Sequence, residues 1–408
     1  MNCEKIAREK VALEKVAIVC GCGPLNNAKH ALLSLPLQKI RNSSVLIKPN
    51  IGRAAIPGQG INTHPEAIAG VIEALIEAGA SHIAIGESPI VGVETVDAFS
   101  RAGISDIAKK YNIKMLDLNE SKPLKKEIPD SRILGFTKIA PQIYDFDLIL
   151  SLPVAKCHMH TGVTLSIKNM KGCLWRHEKV RYHQLEYNKN TKYKEKTLDS
   201  AISDLATILL PNLSVIDGYI GMEGLGPSGG DSVNSNFSVA SWKPLGADIF
   251  SCIMMGIDPS EIPHLTVISE RLGLSINPAD YQICGKNAGN YKKNITKYAR
   301  PPSSISIKYP NVVIYDCDSC SACQSTVMLF LRRFNEDMSQ YLLDDCKFHI
   351  GIGRGLDGKI KKGTVLIGNC TKRLKNLGLF IPGCPPVPTR IYKAITGKEP
   401  SKNEPEIH

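Results

Sequence analysis

Short apolar runs of strand length alternate with longer stretches of helical periodicity through the first 120 residues. KVAIVC at 15–20 and SVLI at 44–47 are rich in β-branched residues and predict strands. PEAIAGVIEALIEAGA at 65–80 places its apolar residues on one helical face, with Pro65 at the start and Gly79 near the end. A strand at 82–85, a helix over 95–111 and a short strand at 113–117 follow. Further on, the pattern predicts strands at 146–152 and 212–216 and helices at 198–210, from after Asp248 to about 255, and at 266–273. Between 221 and 230, six of ten positions are Gly or Pro, which predicts an irregular loop. Residues 176–197 are polar and Lys-rich without an apolar period, and read as a mobile loop or lid. Strands at 312–315, 347–351, 364–367 and 377–381 close the pattern, with helices between them.

This alternation predicts an α/β fold of mainly parallel sheets flanked by helices, with a smaller C-terminal α/β domain. The expected boundaries are 1–285 for the first domain, in two lobes at 1–145 and 146–285. A basic, Pro- and Ser-bearing linker at 286–310 leads to the second domain at 311–398, and 399–408 form a tail.

Composition narrows the setting. Hydrophobic content of 43% and charged content of 22% describe a globular chain. Neither a signal-like apolar core near the N-terminus nor a run of about 18 apolar residues is present, which predicts a cytoplasmic protein without a membrane partner. Thirteen cysteines in such a compartment point to metal or redox use rather than disulfides, and to a reducing, even anaerobic, cell. The net charge of +11 is concentrated at 176–196 and 286–308 and predicts an anionic partner. No nucleic-acid-binding motif accompanies it, so a small anion is preferred to DNA or RNA.

The cysteines carry the sharpest chemistry. Cys317, Cys320 and Cys323 stand close together, followed by Cys370 in Gly368-Asn369-Cys370 and Cys384 in Pro382-Gly383-Cys384-Pro385-Pro386. Each group follows a predicted strand, so parallel strands would deliver all three to one sheet edge, where open α/β folds bind ligands. Thiolate is the ligand iron–sulfur clusters select. Structural zinc sites bring their ligands in two close pairs, whereas Cys370 and Cys384 lie fourteen residues apart. A 4Fe–4S cluster is therefore expected, with five thiols for four positions and one of Cys317, Cys320 and Cys323 spare.

A second constellation is cationic. Lys48, Asn50, His64 and Glu87 sit just beyond predicted strand ends, and Lys156, His158, Lys168, Asn169 and Lys171 fall within sixteen residues. Such donors among apolar neighbours suit an anion site. His158, Lys156 and Glu87 are the acid–base candidates, with His158 a proton donor or acceptor near neutral pH. Lys48, Asn50, His64, Lys168, Asn169 and Lys171 are candidates for substrate binding, as is Glu223, the only charge in the glycine-rich loop.

The C-terminal pieces Cys320-Ser-Ala-Cys323, Gly368-Asn-Cys370 and Pro382-Gly-Cys384-Pro-Pro386 resemble the cluster motif of the small iron–sulfur subunits of nickel–iron hydrogenases and respiratory complex I. That resemblance implies Cys320, Cys323, Cys370 and Cys384 as ligands and leaves Cys317 without a counterpart. Upstream, Val45-Leu-Ile-Lys-Pro-Asn50, Gly86-Glu-Ser-Pro89, Thr161-Gly-Val-Thr-Leu-Ser-Ile-Lys-Asn169 and Gly221-Met-Glu-Gly-Leu-Gly-Pro227 resemble the family called domain of unknown function 362. Its members often carry ferredoxin-like iron–sulfur modules, and no reaction is implied. The combined expectation is an iron–sulfur oxidoreductase for an anionic small molecule, served by an electron-donor protein such as ferredoxin. The competing expectations are an electron-transfer module, an iron–sulfur racemase or lyase, and an RNA-modifying protein.

Overall fold

A computed structural model describes residues 13–185, 195–286, 288–301 and 309–400. Its larger unit begins with β1 (Glu14–Cys20), α1 (Gly23–Leu33), β2 (Ser44–Pro49), α2 (Pro65–Glu77) and β3 (His82–Glu87). Then come α3 (Thr95–Arg101), α4 (Ile104–Tyr111), β4 (Lys114–Asp117) and the hairpin of β5 (Leu124–Glu127) and β6 (Phe136–Ile139). Next are β7 (Leu148–Leu152), β8 (Val154–His158), β9 (Gly162–Thr164), α5 (Ser166–Asn169), α6 (Glu178–Gln184) and α7 (Thr197–Ile208). The unit closes with β10 (Leu213–Glu223), β11 (Asp231–Ser241), α8 (Pro244–Met254), α9 (Pro263–Leu272) and β12 (Tyr281–Cys284).

The main path of its sheet runs β12-β1-β11-β10-β7-β2-β3-β4, with β8 pairing off β10 and β9 off β8. β2 is central and parallel to both β7 and β3, so a continuous apolar run is what it needs. Its side chains divide by the two-residue period of a strand. Val45 and Ile47 pack with α1 and α2 (Ile68, Ile72, Leu75), while Leu46 packs on the opposite face with Phe250 and Ile268. Gly70 lets α1 and α2 cross closely, since a Cβ there would lie 2.1 Å from the Leu25 carbonyl oxygen.

The smaller unit holds β13 (Val312–Asp316), α10 (Ser321–Phe334), β14 (Phe348–Ile352), β15 (Thr364–Ile367), β16 (Gly378–Ile381) and α11 (Pro388–Thr396). Its four strands are parallel, in the order β13-β14-β15-β16, around a core that includes Phe330, Ile350 and Ile391. The units touch where Arg332 of α10 donates to the Gly230 carbonyl and Met328 packs over Gly229. The α/β class with mainly parallel sheets is thus as the periodicity predicts.

Three local expectations need correction. β10 runs on through Glu223 and pairs with β11 in an antiparallel hairpin, so the glycine-rich segment begins inside a strand. β11, which the apolar pattern does not announce, also pairs antiparallel with β1. The segment 176–185 is not all loop: Glu178–Gln184 folds as α6 and packs inward, with Tyr182 buried. Residues 186–194, the rest of that expected lid, lie outside the described residues. The helix expected over 95–111 is broken at Gly103, whose left-handed φ of 72° separates α3 from α4.

Of the stretch read as a linker, Thr296 and Tyr298 donate backbone hydrogen bonds to Met254 and Met255, and Tyr298 is buried in the larger unit. Among the described residues, no helix is long and apolar enough to cross a membrane.

Candidate functional site

The carboxyl ends of β2, β3 and β8 converge on one side of the larger sheet. Lys48, at the end of β2, is fully buried, and its Nζ donates to Glu87 Oε2 at 2.7 Å and the Pro49 carbonyl at 2.6 Å. Glu87, at the end of β3, also accepts the Ile51 and Ser88 N–H groups. Its carboxylate is therefore committed to structure, and the same applies to the Lys48 ammonium. Gly172 packs against the pair, where a Cβ would lie 2.4 Å from both Lys48 Nζ and Glu87 Oε1. Asn169 ties the strand ends together through donations to the Lys48 and Pro49 carbonyls and to Ser151 Oγ.

Around this frame opens a cavity of about 680 Å³, within the range of about 300–1,000 Å³ usual for small-molecule sites. Lys156, Lys168, Lys171 and Lys179 line it. Lys156 Nζ donates to Asn50 Oδ1 at 2.6 Å and the Ile61 carbonyl at 2.8 Å. Lys168 donates to Thr164 Oγ1, Lys179 to Ser88 Oγ, and Lys171 Nζ lies 2.9 Å from His183 Nε2. None of the four has a carboxylate within ion-pair distance among the described residues.

Burial, more than any other cause, lowers each of them, because it disfavours the ammonium. Lys156 falls to about 7, with Arg53 next in effect. Lys168 falls to about 7, helped by Lys156, and Lys179 falls to about 7 as well. Lys171 lies well below its ordinary value, pushed further by Lys168 and Lys179. Arg53 also lines the cavity, its Nε donating to Ser228 Oγ. Together the four lysines and Arg53 give this cavity a basic lining.

His158 is buried on the same wall. Its Nδ1 accepts from the His160 and Thr161 N–H groups, so the neutral ring carries its proton on Nε2. Burial first, then Lys168, holds it well below the ordinary histidine value. In this state His158 offers a hydrogen bond from Nε2 and has no vacant nitrogen to take a proton, which narrows its expected role to donor.

The sequence-predicted residues divide accordingly. Asn50, Glu87, Lys156, His158, Lys168, Asn169 and Lys171 line the cavity, and Lys48 lies directly behind it. His64 does not line it: the ring caps α2 by accepting from Glu66 N–H and packs edge-on to Tyr219. Glu223 does not line it either, because its carboxylate accepts the Ala299 N–H at 2.6 Å. Lys179, His183, Ser88 and Arg53 are additions. Lys179 and His183 are four residues apart on α6 and so share a face, a signal hidden by the polar character of the segment.

The far wall belongs to the smaller unit: Ala322, Ser325 and Thr326 of α10 and the loop Cys384–Pro388. Cys317 follows β13, Cys320 caps α10, Cys370 follows β15 and Cys384 follows β16, all at the carboxyl ends of parallel strands. The loops bearing Cys370 and Cys384 are stitched together, since Asn369 N–H donates to the Gly383 carbonyl and Gly383 N–H to Asn369 Oδ1. The Cys323 thiol and the Cys323 and Ala322 N–H groups hold the Cys320 thiol down to about 6 against its burial. The Cys320 thiol and burial push Cys323 up, with Cys370 and Cys384 adding to the effect. Burial, with Cys384 and Cys320, raises Cys370.

These four sulfurs are thus within electrostatic reach of one another. The Cys317 sulfur lies beside Gly355, where a Cβ would stand 2.7 Å from it. Among the described residues, no three His, Cys, Asp or Glu side chains already stand in a metal-holding arrangement. The donor set itself, four thiols on strand-end loops and a helix N-terminus that stabilises thiolate, fits an iron–sulfur cluster.

The family model described as domain of unknown function (DUF362) matches residues 45–252, the segment that supplies the lysines, Glu87 and His158. The chain belongs to the DUF362 family. A similar protein is the thylakoid-associated protein sll1697 of Synechocystis sp., 27% identical over 236 residues, which are 58% of this chain and 70% of that one. Among solved structures, the lactate racemase apoprotein from Thermoanaerobacterium thermosaccharolyticum aligns with a TM-score of 0.39 at 13% identity, over 60% of this DUF362 chain and 57% of its own. A protein from Thermotoga maritima aligns with a TM-score of 0.37 at 13% identity, over 58% and 60%. The DUF362 chain spans less than two thirds of either solved structure.

Proposed function

We propose that this DUF362 protein is an iron–sulfur redox enzyme for an anionic small molecule. One observation carries the reading: a single cavity is walled on one side by uncompensated lysines and on the other by Cys384 and its loop. Cys320, Cys323, Cys370 and Cys384 would hold a 4Fe–4S cluster, with Cys317 the spare thiol. Such a cluster, when bound, supplies single electrons, which a donor protein such as ferredoxin would replenish. The chain's own groups do the rest. Lys156, Lys168, Lys171 and Lys179 neutralise the anion as they take up protons, and His158 donates a hydrogen bond from Nε2. Lys48, Glu87 and Asn169 hold the strand ends that position these groups. The location of the cations favours a small anion over a nucleic-acid backbone, which needs an exposed basic face.

Anaerobic reconstitution followed by iron and sulfide analysis tests the cluster. Wild type is expected to hold about four of each per chain. Cys384→Ala should lose most of both and Cys317→Ala should retain them. A colourless protein, or one in which Cys317→Ala is the damaging change, contradicts the assignment.

Proton transfer is a second reading, favoured by the Lys156 amine. Near neutral pH it can donate to Asn50 and Ile61 and keep a lone pair, as a racemase or isomerase base requires. Iron-independent exchange of ligand hydrogen with solvent would select it over the redox reading.

A further inference from the structure

The same cavity has a second chemical character, which the lysines do not explain. Its described lining also includes Ile90, Val91, Val93, Val180, Pro386 and Val387. Ile90, Val91 and Val387 are 38%, 43% and 40% exposed, whereas Lys156, Lys168 and Lys179 are 4%, 8% and 9% exposed. These three lysines therefore lie deeper than the three aliphatic groups, with His177 and Arg181 also reaching the outer lining. Charged residues are rarely buried without a partner, and aliphatic side chains gain nothing from water.

The two rims come from different units. Ile90 and Val91 lie in the turn after β3, which is held where Ile90 N–H donates to the Gly52 carbonyl. Val387 precedes α11 of the smaller unit. An inorganic anion or a very short acid would fill the floor and leave both rims wet. A long apolar ligand without charge would leave the four amines without a counter-charge. One ligand shape satisfies both ends.

We propose that the cavity takes an amphipathic acid, a carboxylate with an alkyl or aryl body, seated with its head among Lys156, Lys168 and Lys179 and its body between Val91 and Val387. This inference rests on reading the floor as an anion site and is independent of iron. It also puts the apolar body, rather than the acid group, beside the Cys384 loop. The recognised part and the part near the thiols would then be different ends of one molecule.

Calorimetry with octanoate and acetate on the full chain tests it. Burying several methylenes should make octanoate bind at least about tenfold tighter than acetate. The double variant Val91→Ser with Val387→Ser should lose most of that advantage and leave acetate binding unchanged. Both positions are exposed, so the variant is expected to melt with wild type. Lys156→Met should weaken both acids. The inference is overturned if octanoate binds no tighter than acetate, or if the double variant binds octanoate as wild type does. Failure of both acids to bind would strike the anion site itself and overturn the inference with it.

Discussion

Glu87→Ala is expected to destabilise the protein by about 3–5 kcal/mol, the cost of leaving one partner of a buried ion pair uncompensated. Lys48 is fully buried, and the remaining partners of its Nζ are the Pro49 carbonyl and Asn169 Oδ1 at 3.5 Å. The change also strips an acceptor from the Ile51 and Ser88 N–H groups, which fix the turns after β2 and β3. Lys48→Met should cost less, because the Glu87 carboxylate would keep both of those backbone donors. Urea unfolding of the two variants measures the difference. A Glu87→Ala protein within about 1 kcal/mol of wild type, or a costlier Lys48→Met, would show that the pair does not organise this edge of the sheet.

Anion binding should be strongly coupled to proton uptake. Burial lowers Lys156, Lys168 and Lys179 to about 7 and holds Lys171 well below its ordinary value. A bound anion stabilises the ammonium forms and raises all of these values, so binding takes up protons wherever the free amines are neutral. Affinity should consequently fall as pH rises above about 7, by roughly tenfold per pH unit for each proton taken up.

The sign for folding is the reverse. Unfolded lysines hold their protons up to their ordinary value of 10.5, so between about 7 and 10.5 the unfolded chain binds more protons than the folded one. The contribution of these amines to stability therefore rises with pH across that window and is smallest below it, where they must charge in a buried site. Calorimetric titrations in buffers of different ionisation enthalpy report the protons directly. An anion affinity that is flat between pH 6 and 9 would mean that the lysines are already charged in the free protein.

The sequence makes the strand-end chemistry legible because parallel α/β sheets deliver the residues after each strand to one edge. Lys48, Glu87 and Lys156 can be grouped from position alone, as can the five C-terminal thiols. Residues whose roles are consumed by local structure are harder to separate. His64 and Glu223 have the right chemistry and sit near the right strands, but one ring caps a helix and the other carboxylate anchors Ala299. Lys179 and His183 are hidden for the opposite reason, since a short helix with Lys, Arg and His on its surface looks like solvated loop until its burial is known. β11 escapes the pattern because its serines and asparagines dilute the strand signal that pairing with β1 and β10 enforces. The meeting of the lysines with Cys384 in one cavity arises from how the units pack, through contacts such as Arg332 with Gly230, which no local pattern encodes.

That meeting is the central claim, and one spectrum tests it most directly. The reconstituted protein, reduced anaerobically, is examined by EPR with and without the tightest-binding of octanoate, acetate and phosphate at saturation. If the thiols hold a cluster at the wall of the anion cavity, the reduced signal should shift or split on addition of the anion, and Lys156→Met should blunt the response. An unchanged signal at demonstrated saturation would place the anion away from the thiols and contradict the account.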